Sequence, residues 1–268
     1  MYTDEDVALL RYLREETEKG HSIGDLAAPG RDALLARLRD STPLATAQES
    51  RYERILNELV AALDPLDRER FERRLNGAVA VIPFEEALTG ILLPLQERVG
   101  VLWHDGKLGV AVEHYVTKQV QQKVFAVMNQ LPVREEGLKV IVACPPDQWH
   151  EIAAQSVAYR CWARGCRVYY LGPNVPIHSL VALCKQVEPD LMVLSFTAEL
   201  PTQDAAALAR LLAEQIGVIC PVVAGGKGAL KMREILEAEQ IHVIDEYAEL
   251  ERRLLAMPAR RKMGKGRG

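Results

Sequence analysis

The chain has 268 residues, 49% of them hydrophobic, enough to bury a full core and to suggest about two domains. With 33 Lys and Arg against 37 Asp and Glu, its formal net charge of −4 excludes a general basic surface for nucleic acid. Five scattered cysteines without a C-x-x-C pair, no apolar amino-terminal leader and no apolar run of about 18 residues point to a reduced, soluble, cytoplasmic protein with no membrane contact.

Residues 2–38 are expected to form a helix, a turn and more helix. Thr3, Asp4 or Asp6 supplies the cap signal, and Val7, Leu10 and Leu13 share one helical face. Gly20 stops this helix, Ser22 caps a short second one, and Pro29-Gly30 breaks the region before a linker at 41–46. From 47 to 132 the pattern is that of a four-helix bundle. Tyr52, Ile55, Leu56, Leu59 and Leu63 form one stripe ended by Pro65, and Phe71, Leu75 and Val79 form a second. A third helix follows Pro83 and runs toward Trp103. After the turn His104-Asp-Gly-Lys-Leu-Gly109, a fourth spans about Val110 to Asn129.

Beyond Pro132 the period changes. Five β-rich runs, at 139–144, 167–172, 190–196, 219–226 and 241–245, alternate with helical segments. This predicts an α/β fold over 137–257, a doubly wound five-stranded parallel sheet with helices on both faces. Ligands of such sheets bind outside the carboxyl ends of the strands, where strand order reverses. The tail, 258–268, carries Arg260, Arg261, Lys262, Lys265 and Arg267 with no acid, as in a solubilising basic terminus able to add a weak nucleic-acid contact.

Three constellations stand out. His150 lies between the first strand and the next helix, where a ring nitrogen can meet a metal, although a capping or surface histidine fits the position equally. No Cys, His or Asp cluster accompanies it, which suits a metal already held by a macrocycle. Gly225 and Gly226 follow the fourth strand and allow close approach to a ligand, or make a tight turn. Trp103-His104, with Glu113-His114 across the inter-helix turn, is either a core tryptophan with solvent-facing neighbours or a lid over a cofactor.

Trp103 followed after nine residues by Glu113-His114 resembles the helical cap of the adenosylcobalamin-dependent photoreceptor transcription regulators of the MerR type, which repress light-induced carotenoid genes. The stretch around His150 and Glu151 resembles that family's flavodoxin-like cobalamin-binding domain, and residues 1–40 resemble the last part of a MerR-type DNA-binding domain. The resemblance implies a non-enzymatic light or cobalamin sensor with adenosylcobalamin between bundle and α/β domain. By it, His150 is the lower cobalt ligand, Trp103 packs on the adenosyl group, Glu113 and His114 line that face, and His104 takes the upper cobalt position after photolysis. Ser195 and Thr197 lie beside the nucleotide tail, flanked by Gly225 and Gly226.

Two departures surround the histidine: the family's acid two before it is Gln148, able to orient the ring but less able to raise its basicity, and the glycine three after it is Ala153. A third is that the chain begins where the recognition helix-turn-helix would end, and residues 1–40 hold nine acids against six bases. The expectation is therefore a homo-oligomer, a tetramer in the dark, that binds DNA poorly alone and acts through a MerR-type partner, unless the chain starts late. A corrinoid carrier protein for a methyltransferase is the alternative, and an interaction module with a vestigial pocket a third reading.

Overall fold

A computed structural model describes residues 9, 10, 13, 14, 16, 17, 22–31, 33, 34, 51–132 and 136–257. The cap signal at Thr3 to Asp6, the linker at 41–46 and the basic tail lie outside the described residues. The chain divides into two compact units, Met1–Ile82 and Pro83–Gly268, a division that falls inside the 47–132 stretch.

In the first unit, helix α1, Ile23–Ala27, starts after Ser22 as the capping signal suggests, although the Ser22 side chain makes no cap hydrogen bond. Leu10 is exposed. Residues 51–60 form helix α2, with Ile55, Leu56 and Leu59 on its buried face. Leu63 is buried too, but it sits in the following turn, where it bridges to Leu66. Asp67 caps α3, Arg68–Val81, by accepting from Arg70 N. The buried stripe of α3 is Phe71, Leu75 and Ala78, with Val79 only partly covered, because a 3.6-residue period turns the third position by one residue.

The second unit opens with α4, Phe84–Ala87, which widens into a π-turn at Leu88–Leu92 and continues as α5, Leu93–His104. Pro94 accounts for the widening: it donates no hydrogen bond, and its ring crowds the carbonyl four residues back. Helix α6, Val110–Met128, returns against α5 with Val116, Val120, Val124 and Met128 buried.

The sheet consists of β1 Lys139–Ala143, β2 Arg167–Gly172, β3 Leu191–Ser195, β4 Val222–Gly225 and β5 His242–Ile244. All neighbours are parallel and the order is β2-β1-β3-β4-β5, as the doubly wound expectation requires. The crossover helices are α7 Ile152–Ala163, α8 Ile177–Val187, α9 Thr202–Leu212 with a π-turn at Ala213–Gly217, α10 Lys227–Lys231 and α11 Arg233–Ala238, and α12 Tyr247–Ala256 follows β5.

Alternation along β1 and β3 sorts their side chains between two faces. Ile141, Ala143, Met192 and Leu194 join Leu180, Leu212 and Phe196 in the main core. Each large side chain buried there contributes about 1.5–3 kcal/mol. Val142, Val193 and Ser195 point the other way, toward α7 and α12. Among the described residues, no helix is long and apolar enough to cross a membrane.

Candidate functional site

Because β1 lies between β2 and β3, the chain leaves β1 and β3 toward opposite sides, and the loops after these two strands part at the carboxyl edge of the sheet. His150 stands in the first loop and Thr197 in the second. Gln148 ties them together. Its side chain is 1% exposed, its Oε1 accepts from Thr197 N at 2.8 Å and Ala198 N at 2.9 Å, and its Nε2 donates to Ala198 O at 3.1 Å. The amide thus braces the two loops rather than orienting the His150 ring.

The backbone of His150 is held as well: its carbonyl accepts from Thr197 Oγ1 at 3.1 Å and faces the Cys144 thiol at 3.8 Å. Its ring is exposed and, among the described residues, has no hydrogen-bond partner. A neutral imidazole with an uncommitted nitrogen lone pair can ligate a metal.

Beside this loop a groove of about 140 Å³ runs between the sheet and helices α7 and α12. Val142, Val193 and Ser195 form its floor, Ala153 and Val157 one wall, Tyr247 and Leu250 the other, and Gly225 and Gly226 its rim. The glycines after β4 are needed for backbone approach. Gly226 has φ +95° and would place a Cβ 2.5 Å from Phe196 O; a Cβ on Gly228 would sit 2.3 Å from Ala198 O.

On the helical hairpin, Trp103 is 48% exposed and His104 exposed, both at the end of α5. Glu113 and His114 pair at 2.5 Å (Oε2 to Nδ1), and Glu113 Oε1 also accepts from Thr117 Oγ1 at 2.7 Å. Gln96 Nε2 donates to that hydroxyl at 2.8 Å, so the carboxylate of Glu113 is fixed from behind by α5. No hydrogen bond or ion pair joins Trp103, His104, Glu113 or His114 to the His150 loop among the described residues.

Another connection does join the two layers, and sequence reasoning missed it. Glu151 Oε1 accepts from Gln121 Nε2 of α6 at 2.9 Å, Glu151 Oε2 accepts from the Tyr170 hydroxyl of β2, and Lys118 Nζ donates to Gln121 Oε1 at 2.8 Å. Phe125 of α6 meets the Tyr170 ring edge-on, centroids 5.9 Å apart. Burial first, and the bond to Glu151 next, push the Tyr170 hydroxyl up, so it stays a neutral donor. Burial, and behind it the charge of Glu151, push the Cys144 thiol up to about 12. The one signal in the sequence was an acid directly after His150; its partners are 30 residues before and 19 after it.

Residues 55–127 and 138–255 match two family models, each described as a B12 binding domain. The chain is 29% identical over 258 residues to the HTH-type transcriptional repressor CarH of Myxococcus xanthus, covering 94% of this chain and 84% of the repressor. It is 29% identical to the repressor CarA of the same organism, covering 96% and 82%. The Methanosarcina barkeri monomethylamine corrinoid protein shares the fold, with a TM-score of 0.56 at 17% identity over 77% of this chain and 96% of that one.

Proposed function

We propose that this chain, a cobalamin-binding protein built on B12-binding domains and related to transcriptional repressors, is a sensor that holds adenosylcobalamin and passes its state to transcription. The observation that carries this reading is His150: an exposed imidazole with an uncommitted ring, on a loop pinned at the switch point of the sheet, beside a mostly apolar groove with small residues on its floor and rim. Those residues fit a cobalt corrinoid, which needs from the protein one nitrogen under the cobalt and a narrow apolar slot for its nucleotide tail.

His150 would hold the cobalt, and Ser195, Thr197, Gly225 and Gly226 would bound the nucleotide tail. Gln148 acts from behind, by keeping the His150 and Thr197 loops together. Trp103 supplies an aromatic face to the adenosyl group. Glu113, already oriented by Thr117 and His114, offers it a fixed acceptor. When bound, adenosylcobalamin supplies a cobalt–carbon bond that light breaks. By the resemblance, His104, one residue from Trp103, would supply a cobalt ligand after photolysis, and loss of the packed group would free α5 and α6 to move. The output is a change in a homo-oligomer, a tetramer in the dark, that carries the cofactor's state to transcription.

The test compares the parent with His150→Ala and His104→Ala, each mixed with adenosylcobalamin in the dark and then illuminated. His150→Ala is expected to lose most binding and to alter the visible spectrum in the dark. His104→Ala is expected to bind normally in the dark and to release its cobalamin after light, while the parent keeps it. Identical spectra, retention and oligomer size for all three proteins refute the assignment. A corrinoid carrier is the second reading, because this chain shares the fold of the monomethylamine corrinoid protein; equal or stronger binding of methylcobalamin than of adenosylcobalamin selects that reading instead.

A further inference from the structure

The carboxylate after His150 has two bonds that reach different layers of the structure. Glu151 is the last residue before α7, so its backbone continues directly from the cobalt-ligand candidate. Its side chain is gripped by α6 through Gln121, which is 6% exposed, and by β2 through Tyr170. Tyr170 is a neutral donor, and Phe125 packs its ring against α6. Lys118 fixes the oxygen of the Gln121 amide, which leaves the amide nitrogen facing the carboxylate. Every polar atom of this relay has a directional partner, so the position of α6 is communicated to residue 151 by bonds that have one favourable arrangement.

We propose that Glu151 is a positioning residue for the cobalt ligand: it locks the His150 loop to α6, so that a displacement of the helical hairpin reaches His150 through the Gln121–Glu151–Tyr170 relay. The inference rests on the reading of His150 as the lower ligand. It adds a route by which the hairpin acts on the lower face of the corrin as well as on the upper. The relay is distinct from the Gln148 brace, which joins the His150 loop to the β3 loop and touches no residue of α6.

The chemistry allows a swap. With Glu151→Gln alone, the new amide keeps the Tyr170 bond but turns its nitrogen toward the Gln121 nitrogen, two donors face to face. Adding Gln121→Glu restores the relay: Tyr170 donates to the new amide oxygen, the new amide nitrogen donates to the carboxylate at position 121, and Lys118 pairs with that carboxylate.

The experiment loads the full chain, grown with heavy-nitrogen histidine, with cob(II)alamin and records its electron paramagnetic resonance spectrum. A histidine ligand splits each resolved cobalt line into a doublet rather than the triplet given by the nucleotide base. The parent is expected to give the doublet and His150→Ala to lose it; a doublet retained in His150→Ala overturns the reading of His150 itself. With that reading intact, Glu151→Gln and Tyr170→Phe are expected to lose at least half of the doublet intensity, and Glu151→Gln with Gln121→Glu to regain it. Hydrogen exchange of the ligand-free proteins should rise about tenfold over residues 148–151 in the single variants and return to the parent value in the swap. Full doublet intensity with unchanged exchange in Glu151→Gln and Tyr170→Phe refutes the coupling, as does a swap that restores neither.

Discussion

Replacing Gln148 with alanine removes the three bonds that its side chain makes to the loop after β3, at 2.8, 2.9 and 3.1 Å, and leaves the Thr197 Oγ1 bond to the His150 carbonyl to join the two loops. Each bond contributes about 1 kcal/mol net, and a buried group left without a partner costs more. Here water can relieve part of that penalty, because Thr197 and Ala198 are themselves exposed and their backbone groups can be hydrated once the amide is gone. The balance is a loss of about 2–3 kcal/mol from the α/β unit, which corresponds to roughly 30- to 150-fold in its opening equilibrium. Native-state amide exchange of the ligand-free protein reads this directly, since β3 is buried along its whole length and its slowest amides report the global opening of the unit. The β3 amides of Gln148→Ala should exchange faster by that factor. Trp149→Ala, at a neighbouring side chain that is 65% exposed, should stay within about 0.5 kcal/mol of the parent. Equal protection of β3 in Gln148→Ala and the parent refutes the account of Gln148 as a brace.

Ala153→Leu puts added carbons into the groove between the sheet and α7, so cobalamin affinity should fall at least about tenfold while cobinamide, which lacks the nucleotide tail, binds as before; equal losses in titrations of both place the tail elsewhere. Gly228→Ala forces a Cβ within 2.3 Å of Ala198 O, backbone that cannot turn aside, and should lower stability by about 1–3 kcal/mol in thermal melts. The Cys144 thiol ionises near 9 when unfolded and near 12 when folded, so above pH 9 the unfolded chain has lost a proton that the folded one keeps. Its stabilising contribution is complete below pH 9 and declines as pH rises toward 12, by up to about 1.4 kcal/mol per pH unit; the slope of stability against pH in this window should be shallower in Cys144→Ala.

The five strands, the crossover helices and the position of His150 after β1 were legible in the chain because period and punctuation are local properties. KVIVA, RVYYLG and LMVLS announce buried parallel strands by composition alone. Gly226 was legible for a similar reason, since few other residues accept its positive-φ backbone after β4. The roles of Trp103, His104, Glu113 and His114 came instead from a family resemblance carried by their spacing. Spacing says nothing of what supports them, so the Gln96–Thr117–Glu113 chain was not foreseen.

Strand order was decided by tertiary structure. Alternating strands and helices are compatible with several parallel orders, and it is the pairing of β1 with β3 in the order β2-β1-β3-β4-β5 that puts the loops of His150 and Thr197 side by side. That adjacency changes the meaning of Gln148, which in sequence stands two residues from the histidine and in space spends its amide on a loop 49 and 50 residues away. Glu151 is the same case: its partners come from α6 and β2, and nothing in the local pattern of either marks a donor aimed at a carboxylate. Backbone preference and hydrophobic period act over a few residues, and they are written in the chain. Hydrogen-bond satisfaction of a buried polar group depends on which distant elements the fold brings within about 3 Å, and that distance exists only once the sheet has closed in its particular order.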